Sequence, residues 1–351
     1  MTKMLRWAVL GTGFISHKMI EAIRASDGST LHVIAGRDTE KTSAFKSQHG
    51  FAKAASFDAA LSDPEVDVVY IATPNHTHHS LTIKAAEAGK PVVSEKSLTT
   101  TMADAKALAE AVTTHGNFFV EGLMYLAHPL HKRLHEILLD GRLGQLRAIH
   151  GFYAADIWQV TNPKGCGTLY NLGCYPVSLA HLVIQTLCGD SAFSGGRLKA
   201  HGIISPRDGT VSDASVTAKF EVPNGPDVLV NLHATDSYGM DNGFVIAGDN
   251  GVLRCVTNPW LPLAGRNHLQ WCPYDGEVKD IHVDASADAF FHQVKMVEAA
   301  IVNGQAEATR PSPRIKDSLE IMEFLTNWER EIRQDEAAPF PSAREGPIRP
   351  L

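Results

Sequence analysis

The chain has no apolar stretch long enough to cross a bilayer, no basic run and no internal repeat. A membrane span needs about 20 consecutive apolar residues, and residues 1–9 are too few and too mixed for a signal peptide, so a cytoplasmic protein with no membrane partner is expected. Cysteine is scarce. Cys166, Cys174, Cys188, Cys255 and Cys272 are odd in number and show neither CxxC pairing nor zinc spacing, which argues against a disulfide framework and fits reduced thiols. Basic charge is not in excess either: with a formal net charge of −7 there is no stripe to neutralise a phosphate backbone, so nucleic acid is not expected as a partner. What the chain does have is length. At 351 residues and 44% hydrophobic it can bury a sizeable core and fill about two ordinary domains.

Short apolar runs alternate with helical stretches up to about Glu121. Strands are expected at 5–10, 31–35, 66–72, 91–94 and 118–120, with helices at 15–25, 41–49, 79–88 and 102–114 between them. That is the rhythm of βαβ units, and right-handed crossovers make of it a doubly wound parallel sheet. After a helix near 128–139 the pattern changes to alternating strands such as 215–221, where Val216, Ala218 and Phe220 face one way, the signature of an antiparallel sheet with one buried face. Asn224-Gly225 and Asn250-Gly251 are expected as tight hairpins supplying positive φ. Late helices follow at 288–303 and 313–333, and the Pro-rich tail from Ala337 reads as a surface arm. The fold class expected is α/β: a Rossmann domain at 1–122 and an α+β domain at 123–351 with a large, mostly antiparallel sheet.

The run Gly11-Thr12-Gly13-Phe14-Ile15-Ser16 stands directly between the first strand and first helix. The first glycine permits the tight turn, the second lets backbone N–H groups approach a pyrophosphate, and Ser16 stands where a third glycine would give close helix packing. An ordinary tight turn is the bland alternative, but the position at the first βα junction favours a dinucleotide. Where the second strand ends, the chain reads Ala35-Gly36-Arg37-Asp38. Gly36 takes the place of the acid that would bind the ribose of NAD(H), while Arg37 suits the 2′-phosphate of NADP(H). NADP(H) is therefore favoured over NAD(H). Asp38 turned inward to the ribose, with Arg37 a solvated loop residue, is the competing reading.

Two further segments carry candidate chemistry. Glu95 and Lys96 follow an apolar strand at the carboxyl edge of the sheet, where open α/β sheets bind ligands, and they point to opposite sides if the strand persists. A solvated strand-end lysine is the alternative. In the second half, Asn171 and Tyr175 fall one turn apart if helical geometry starts before the expected helix at 177–187; a buried tyrosine that merely packs the helix start is the alternative. His76, His78 and His79 cluster, and His128, His131 and His135 recur at helical spacing. No metal site is expected from either group. His78 is placed instead at a loop–helix junction near the cofactor, and the helical histidines are expected to be partly exposed. Ile315, Leu319, Met322, Leu325 and Trp328 form a helical apolar stripe, expected to pack in the core.

Taken in order, Gly11-Thr12-Gly13, Ala72-Thr73-Pro74-Asn75 with His78, Gly89-Lys90-Pro91 with Glu95-Lys96, Glu121 with Met124-Tyr125 and His128-Pro129, Gly141 to Gly144, and Asn171 to Tyr175 resemble the glucose-fructose oxidoreductase and inositol dehydrogenase family (Gfo/Idh/MocA). Within it the motifs are most similar to the group of dimeric dihydrodiol dehydrogenase and NADP-dependent xylose dehydrogenase. The resemblance implies hydride transfer between a nicotinamide and a hydroxyl or carbonyl carbon of a sugar, polyol or diol. It implies a homodimer or homotetramer formed through the C-terminal sheet. Lys96 takes the place of the active-site lysine and Tyr175 that of the acid/base, with Lys96 expected to lower the tyrosine pKa. Gly11, Thr12, Gly13, Phe14, Ile15, Arg37, Thr73, Pro74, Asn75, His78, Glu95 and Lys96 are the expected cofactor contacts. Tyr125, Asp156, Trp158, Asn171 and His181 join Lys96 and Tyr175 as expected substrate contacts. Two residues depart from the family pattern: Ser97 stands for a proline, loosening the hold on Lys96, and Asn171 for an aspartate. Two alternatives share the fold: a non-catalytic dinucleotide-binding regulator, and a glycosidase or lyase that uses NAD transiently.

Overall fold

The computed structural model describes residues 4–161, 165–223 and 225–335. Leu5–Leu10 (β1) opens the first sheet, and Trp7, Ala8, Val9 and Leu10 have no exposed surface, as in a strand covered on both faces. There follow Phe14–Ala25 (α1), Ser29–Ala35 (β2), Thr39–His49 (α2), Lys53–Ala55 (β3), Phe57–Ser62 (α3), Val68–Ile71 (β4), His78–Glu87 (α4), Val92–Ser94 (β5), Met102–His115 (α5) and Phe119–Glu121 (β6). The strands lie parallel in the order β3-β2-β1-β4-β5-β6. The order reverses between β1 and β4, so a crevice opens beyond their carboxyl ends. Local chemistry sets the helix limits: Asp38 and Thr101 cap α2 and α5 by accepting from Lys41 N and Asp104 N, and Gly50 and Gly116 end the same helices at φ 60° and 66°. The sequence pattern does not predict β3 and α3, which are too short to carry a period.

The second half runs Pro129–Leu139 (α6), Leu146–Ala155 (β7), Trp158–Thr161 (α7), Cys174–Cys188 (α8), Arg197–Ile204 (β8), Val211–Phe220 (β9), Val228–Thr235 (β10), Met240–Gly248 (β11), Gly251–Cys255 (β12), Gly265–Pro273 (β13), Lys279–Ala285 (β14), Ala289–Val302 (α9) and Ile315–Asp335 (α10). Its strands form an eight-stranded sheet, β14-β13-β12-β11-β7-β10-β9-β8, in which only β7 and β10 pair in parallel. Val216, Ala218 and Phe220 are buried as their alternation predicts. On α10, Met322, Leu325 and Trp328 are core residues, with Ile315 and Leu319 packed at its margin. This helix also packs on α5, and α9 packs on α1, where the buried Glu298 accepts from the hydroxyls of Ser26 and Ser29. The C-terminal helices thus brace the first sheet as well as the second. Among the described residues no helix is long and apolar enough to cross a membrane.

Three expectations need correction. The β11–β12 connection is Asp249-Asn250, and neither Asn250 nor Gly251 has positive φ. Gly251 is needed instead because a Cβ there would lie 2.5 Å from Cys272 O and 2.7 Å from the Trp271 ring. The helix expected from residue 177 begins earlier: a wider π-type turn, Leu169–Gly173, runs straight into α8, which therefore includes Tyr175. The other proposed hairpin includes Asn224, which lies outside the described residues, as does the tail from Ala337.

The third correction concerns the α6 histidines. His128 and His131 have no exposed surface and only His135 is partly exposed. His128 Nδ1 accepts from Leu130 N and so starts the helix, and His131 meets the ring of Tyr125 edge-on. Burial pushes the His131 imidazole down to about 3. Its folded pKa lies below the unfolded value near 6.5, so the unfolded chain takes up the extra proton and stability is lost as pH falls through that interval. Urea denaturation between pH 7 and 4 should show a shallower decline in His131→Leu than in the wild type, by about 3 kcal/mol over the range. Parallel declines would refute the assignment.

Candidate active site

The turn after β1 is shaped by close approach. Gly11 has φ 120°, and a Cβ on it would lie 2.6 Å from Ala72 O at the end of β4, so only glycine fits. Gly13 faces open space, leaving the N-terminus of α1 accessible. Ser16 is fully buried and its hydroxyl donates to Gly11 O at 2.8 Å, tying the first turn of α1 to the loop. The cleft beside this turn has a volume of about 570 Å³. Its walls are Gly11, Thr12 and Gly13; Gly36, Arg37 and Lys41; Thr73, Pro74 and Asn75; and, from the second half, Val160, Thr161, Gly165 and Asn171. It therefore spans the strand-order reversal. A second cavity, bordered by Arg37, Thr39, Ser43, Ser56 and Lys84, shares Gly36 and Arg37 with it.

At the end of β2, the Asp38 carboxylate accepts from Lys41 N at 3.0 Å as the cap of α2. It is thus already engaged by the helix start. A Cβ at Gly36 would meet Thr42 Oγ1, so a side chain there requires the Thr42 hydroxyl to leave its bond to Asp38 O. Arg37 is exposed at the cleft wall.

Lys96 leaves the end of β5 toward the second sheet. Its Nζ donates to Asn171 O at 2.7 Å and lies 5.2 Å from the centroid of the Tyr175 ring. Glu95 points the other way, where it is buried and accepts from the Tyr70 hydroxyl at 2.5 Å. The peptide joining Lys96 to Ser97 is cis. The expected loosening at Ser97 is not seen: the residue is buried, its hydroxyl donates to Tyr170 O at 2.9 Å and its carbonyl lies 2.9 Å from His78 Nδ1. His78 Nε2 is 2.8 Å from Thr73 O. Burial pushes this imidazole down to about 4, so at neutral pH its single N–H donates to one of the two carbonyls.

Tyr175 is 5% exposed, within van der Waals reach of Tyr125, Tyr153 and Trp260, and its hydroxyl points to Met124 Sδ at 3.9 Å. The expected lowering of its pKa is reversed. Burial, reinforced by Tyr153 and Cys174, pushes the phenol well above its ordinary value, because the Lys96 ammonium stands over the ring and not against the hydroxyl.

Of the residues singled out in the sequence, Gly11, Thr12, Gly13, Arg37, Thr73, Pro74, Asn75 and Asn171 line the cleft, with Lys96 and Tyr175 grouped around Asn171 just behind its wall. Phe14 is 71% exposed and Ile15 half-buried at the start of α1. Tyr125 is buried, bonded to Ser178 and to Tyr175 O. His181 is paired with Glu320 at 2.8 Å on the side of α8 that meets α10. Asp156 and Trp158 line a different cavity. Lys41, Thr161, Tyr153 and Trp260 were not anticipated; Lys41 was in reach, four residues after Arg37 in a capped helix, whereas nothing near Trp260 signals its place in an aromatic cluster. Neither histidine group from the sequence converges as metal ligands among the described residues. The groupings that do are His32 with Asp63 and Glu65, and His181 with Asp317 and Glu320. Lys53 bridges Asp63 and Glu65 of the first, and Arg310 and Arg314 pair with Asp317 of the second.

The chain matches the profile of the GFO/IDH/MocA oxidoreductase family, NAD-binding Rossmann fold, over residues 5–123, and that of the GFO/IDH/MocA C-terminal domain over residues 131–254. It is 34% identical to an uncharacterised oxidoreductase of Rhizobium meliloti over 187 residues, 51% of this chain and 56% of that protein. It is 24% identical to human trans-1,2-dihydrobenzene-1,2-diol dehydrogenase over 346 residues, 96% of this chain and 98% of that protein. Its fold is that of an aldose-aldose oxidoreductase of Caulobacter crescentus (TM-score 0.79, 21% identity, covering 95% and 98% of the two chains). The same holds for a 3-ketoreductase of Actinomadura kijaniata solved with NADP (TM-score 0.77, 22% identity, covering 94% and 98%). With both halves matched and the dinucleotide cleft in place, the chain belongs to the Gfo/Idh/MocA family of NAD(P)-binding oxidoreductases.

Proposed function

We propose that the protein is an NADP(H)-dependent oxidoreductase acting on a CH–OH or carbonyl carbon of a sugar, polyol or diol. The observation that carries this reading is the grouping of Lys96, Asn171 and Tyr175 beside the dinucleotide cleft. The cleft fits the cofactor: Gly13 leaves the N-terminus of α1 open to a pyrophosphate, and the exposed Arg37 and Lys41 offer cations to a 2′-phosphate. Bound there, the nicotinamide supplies or accepts the hydride. The relatives named for a diol, an aldose and a ketone add the substrate class.

The protein's own part is proton and charge management. Lys96 directs its ammonium at the reacting oxygen, and the Tyr175 hydroxyl, held in its neutral form by burial, is the proton donor to a carbonyl. Tyr175→Phe should lower turnover by about 10²–10⁴-fold, and Lys96→Met by about 10²–10³-fold, with NADPH affinity by fluorescence titration nearly unchanged. Near-normal turnover in either variant would sink the assignment. Because the tyrosine pKa is raised, carbonyl reduction should stay level through neutral pH; a pH–rate profile that falls between pH 6 and 8 with Tyr175 deprotonation would contradict it.

For the cofactor, Gly36 offers no carboxylate and Asp38 is committed to its cap. Both leave Arg37 as the discriminating group. Arg37→Asp should reverse the kcat/KM preference from NADPH toward NADH, and an unaltered ratio would refute the NADP(H) preference. The open face of the eight-stranded sheet, where Leu229 is 48% exposed, is the proposed homo-oligomer surface. Sedimentation velocity should show a smaller species for Leu229→Asp than for the wild type.

A further inference from the structure

The helical turn α7 has a different cavity on each side. Val160 and Thr161 belong to the dinucleotide cleft, whereas Trp158 and Gln159 line a cavity of about 400 Å³ together with Asp156, Arg207, Ser205 and Ser237. The four residues of α7 thus border both spaces, which are neighbours in the fold. The turn is fixed from below, because Ile157 N and Trp158 N both donate to Asp236 O at 3.0 and 2.8 Å.

The groups facing this cavity are unusual in combination. Arg207 stacks its guanidinium 4.7 Å from the centroid of the Trp158 ring and forms no ion pair among the described residues, nor does Asp156. The indole Nε1 of Trp158 is shielded from solvent with no hydrogen-bond partner. A carboxylate acceptor, a guanidinium donor, serine hydroxyls and a flat aromatic side chain therefore share one small space. An apolar ligand would leave these polar groups unsatisfied. A phosphate would meet the Asp156 carboxylate. A ring bearing several hydroxyls can meet both the Asp156 carboxylate and the Arg207 guanidinium, since each hydroxyl both donates and accepts, and its C–H face can pack on an indole.

We propose that this cavity is a second saccharide subsite, which binds the non-reacting ring of a disaccharide or glycoside whose other ring reacts in the cleft. This deepens the oxidoreductase reading and rests on it for the reacting ring, so binding and turnover are tested separately. With the full-length protein, titration with cellobiose, lactose and methyl β-glucoside should give a saturable change in tryptophan fluorescence. That change should disappear in Trp158→Phe, and the affinity should weaken about tenfold in Asp156→Asn and Arg207→Gln. In turnover assays with NADP(H), the ratio of kcat/KM for disaccharide to that for its reacting monosaccharide should fall about tenfold in the same two variants. Absence of saturable binding by any of the three sugars would overturn the subsite, as would a ratio that does not move in folded variants. Saccharide binding that is lost in Trp158→Phe, without turnover of any sugar, would instead remove the oxidoreductase reading and leave the subsite standing.

Discussion

Three side chains from the loops at the carboxyl end of the parallel sheet each donate to a main-chain carbonyl in one short stretch of the second half: Asn75 Nδ2 to Gly165 O at 3.1 Å, Lys96 Nζ to Asn171 O at 2.7 Å and Ser97 Oγ to Tyr170 O at 2.9 Å. Backbone carbonyls are obligatory acceptors whatever side chain they carry. The docking of the two halves at the site therefore depends on donors placed by the first sheet and on the path of the chain through 165–175, not on complementary side chains. That path includes the π-type turn before α8, a feature that recurs where a functional residue has to be re-aimed. Here it sets Asn171 in the cleft wall and Tyr175 over the lysine.

The electrostatics follow from the same burial. Glu95 and Glu121 sit behind Lys96 with almost no exposed surface, and burial raises both, Glu121 to about 7. His78 is shifted toward neutrality, and Tyr175 is held protonated. Each neighbour that would otherwise carry charge is moved toward its uncharged form. The lysine cation is then only partly offset, in surroundings of low polarity where a single charge acts strongly on an approaching oxygen. In the mechanism proposed above no tyrosine phenolate paired with the lysine is needed, because the cation and the neutral phenol are separate groups.

How much of this could be read from the sequence depended on whether the feature was local. β1 with its glycine turn, the helix α5, and the alternation of Val216, Ala218 and Phe220 all declare themselves within a few residues, and the structure has them in place. Lys96 and Glu95 were legible as pointing apart because a strand alternates. The errors arose where a distant segment decides. Gly251 reads as a hairpin residue until β13 is seen against it, and the α6 histidines read as surface groups until Tyr125 and His292 cover them. The pKa of Tyr175 depended on which part of its side chain meets Lys96, which spacing cannot convey. Asp156 and Trp158, expected among the substrate contacts, line a separate cavity on the other side of α7, a division that spacing in the sequence does not convey.

Two serines at motif positions show why the signature tolerates change. Ser16 stands where the fingerprint has a glycine, and Ser97 where the family has a proline, and both are buried. Glycine at the first position serves close helix–loop packing; a serine whose hydroxyl bonds Gly11 O keeps the packing and adds a tie between α1 and the turn. At the second position the hydroxyl reaches Tyr170 O and is one of the three side-chain donors that meet the 165–171 carbonyls at the site. In each case the small side chain turns its one polar group onto a backbone carbonyl. The motif is therefore kept as a set of backbone positions, with hydrogen bonds standing where the usual residues rely on shape.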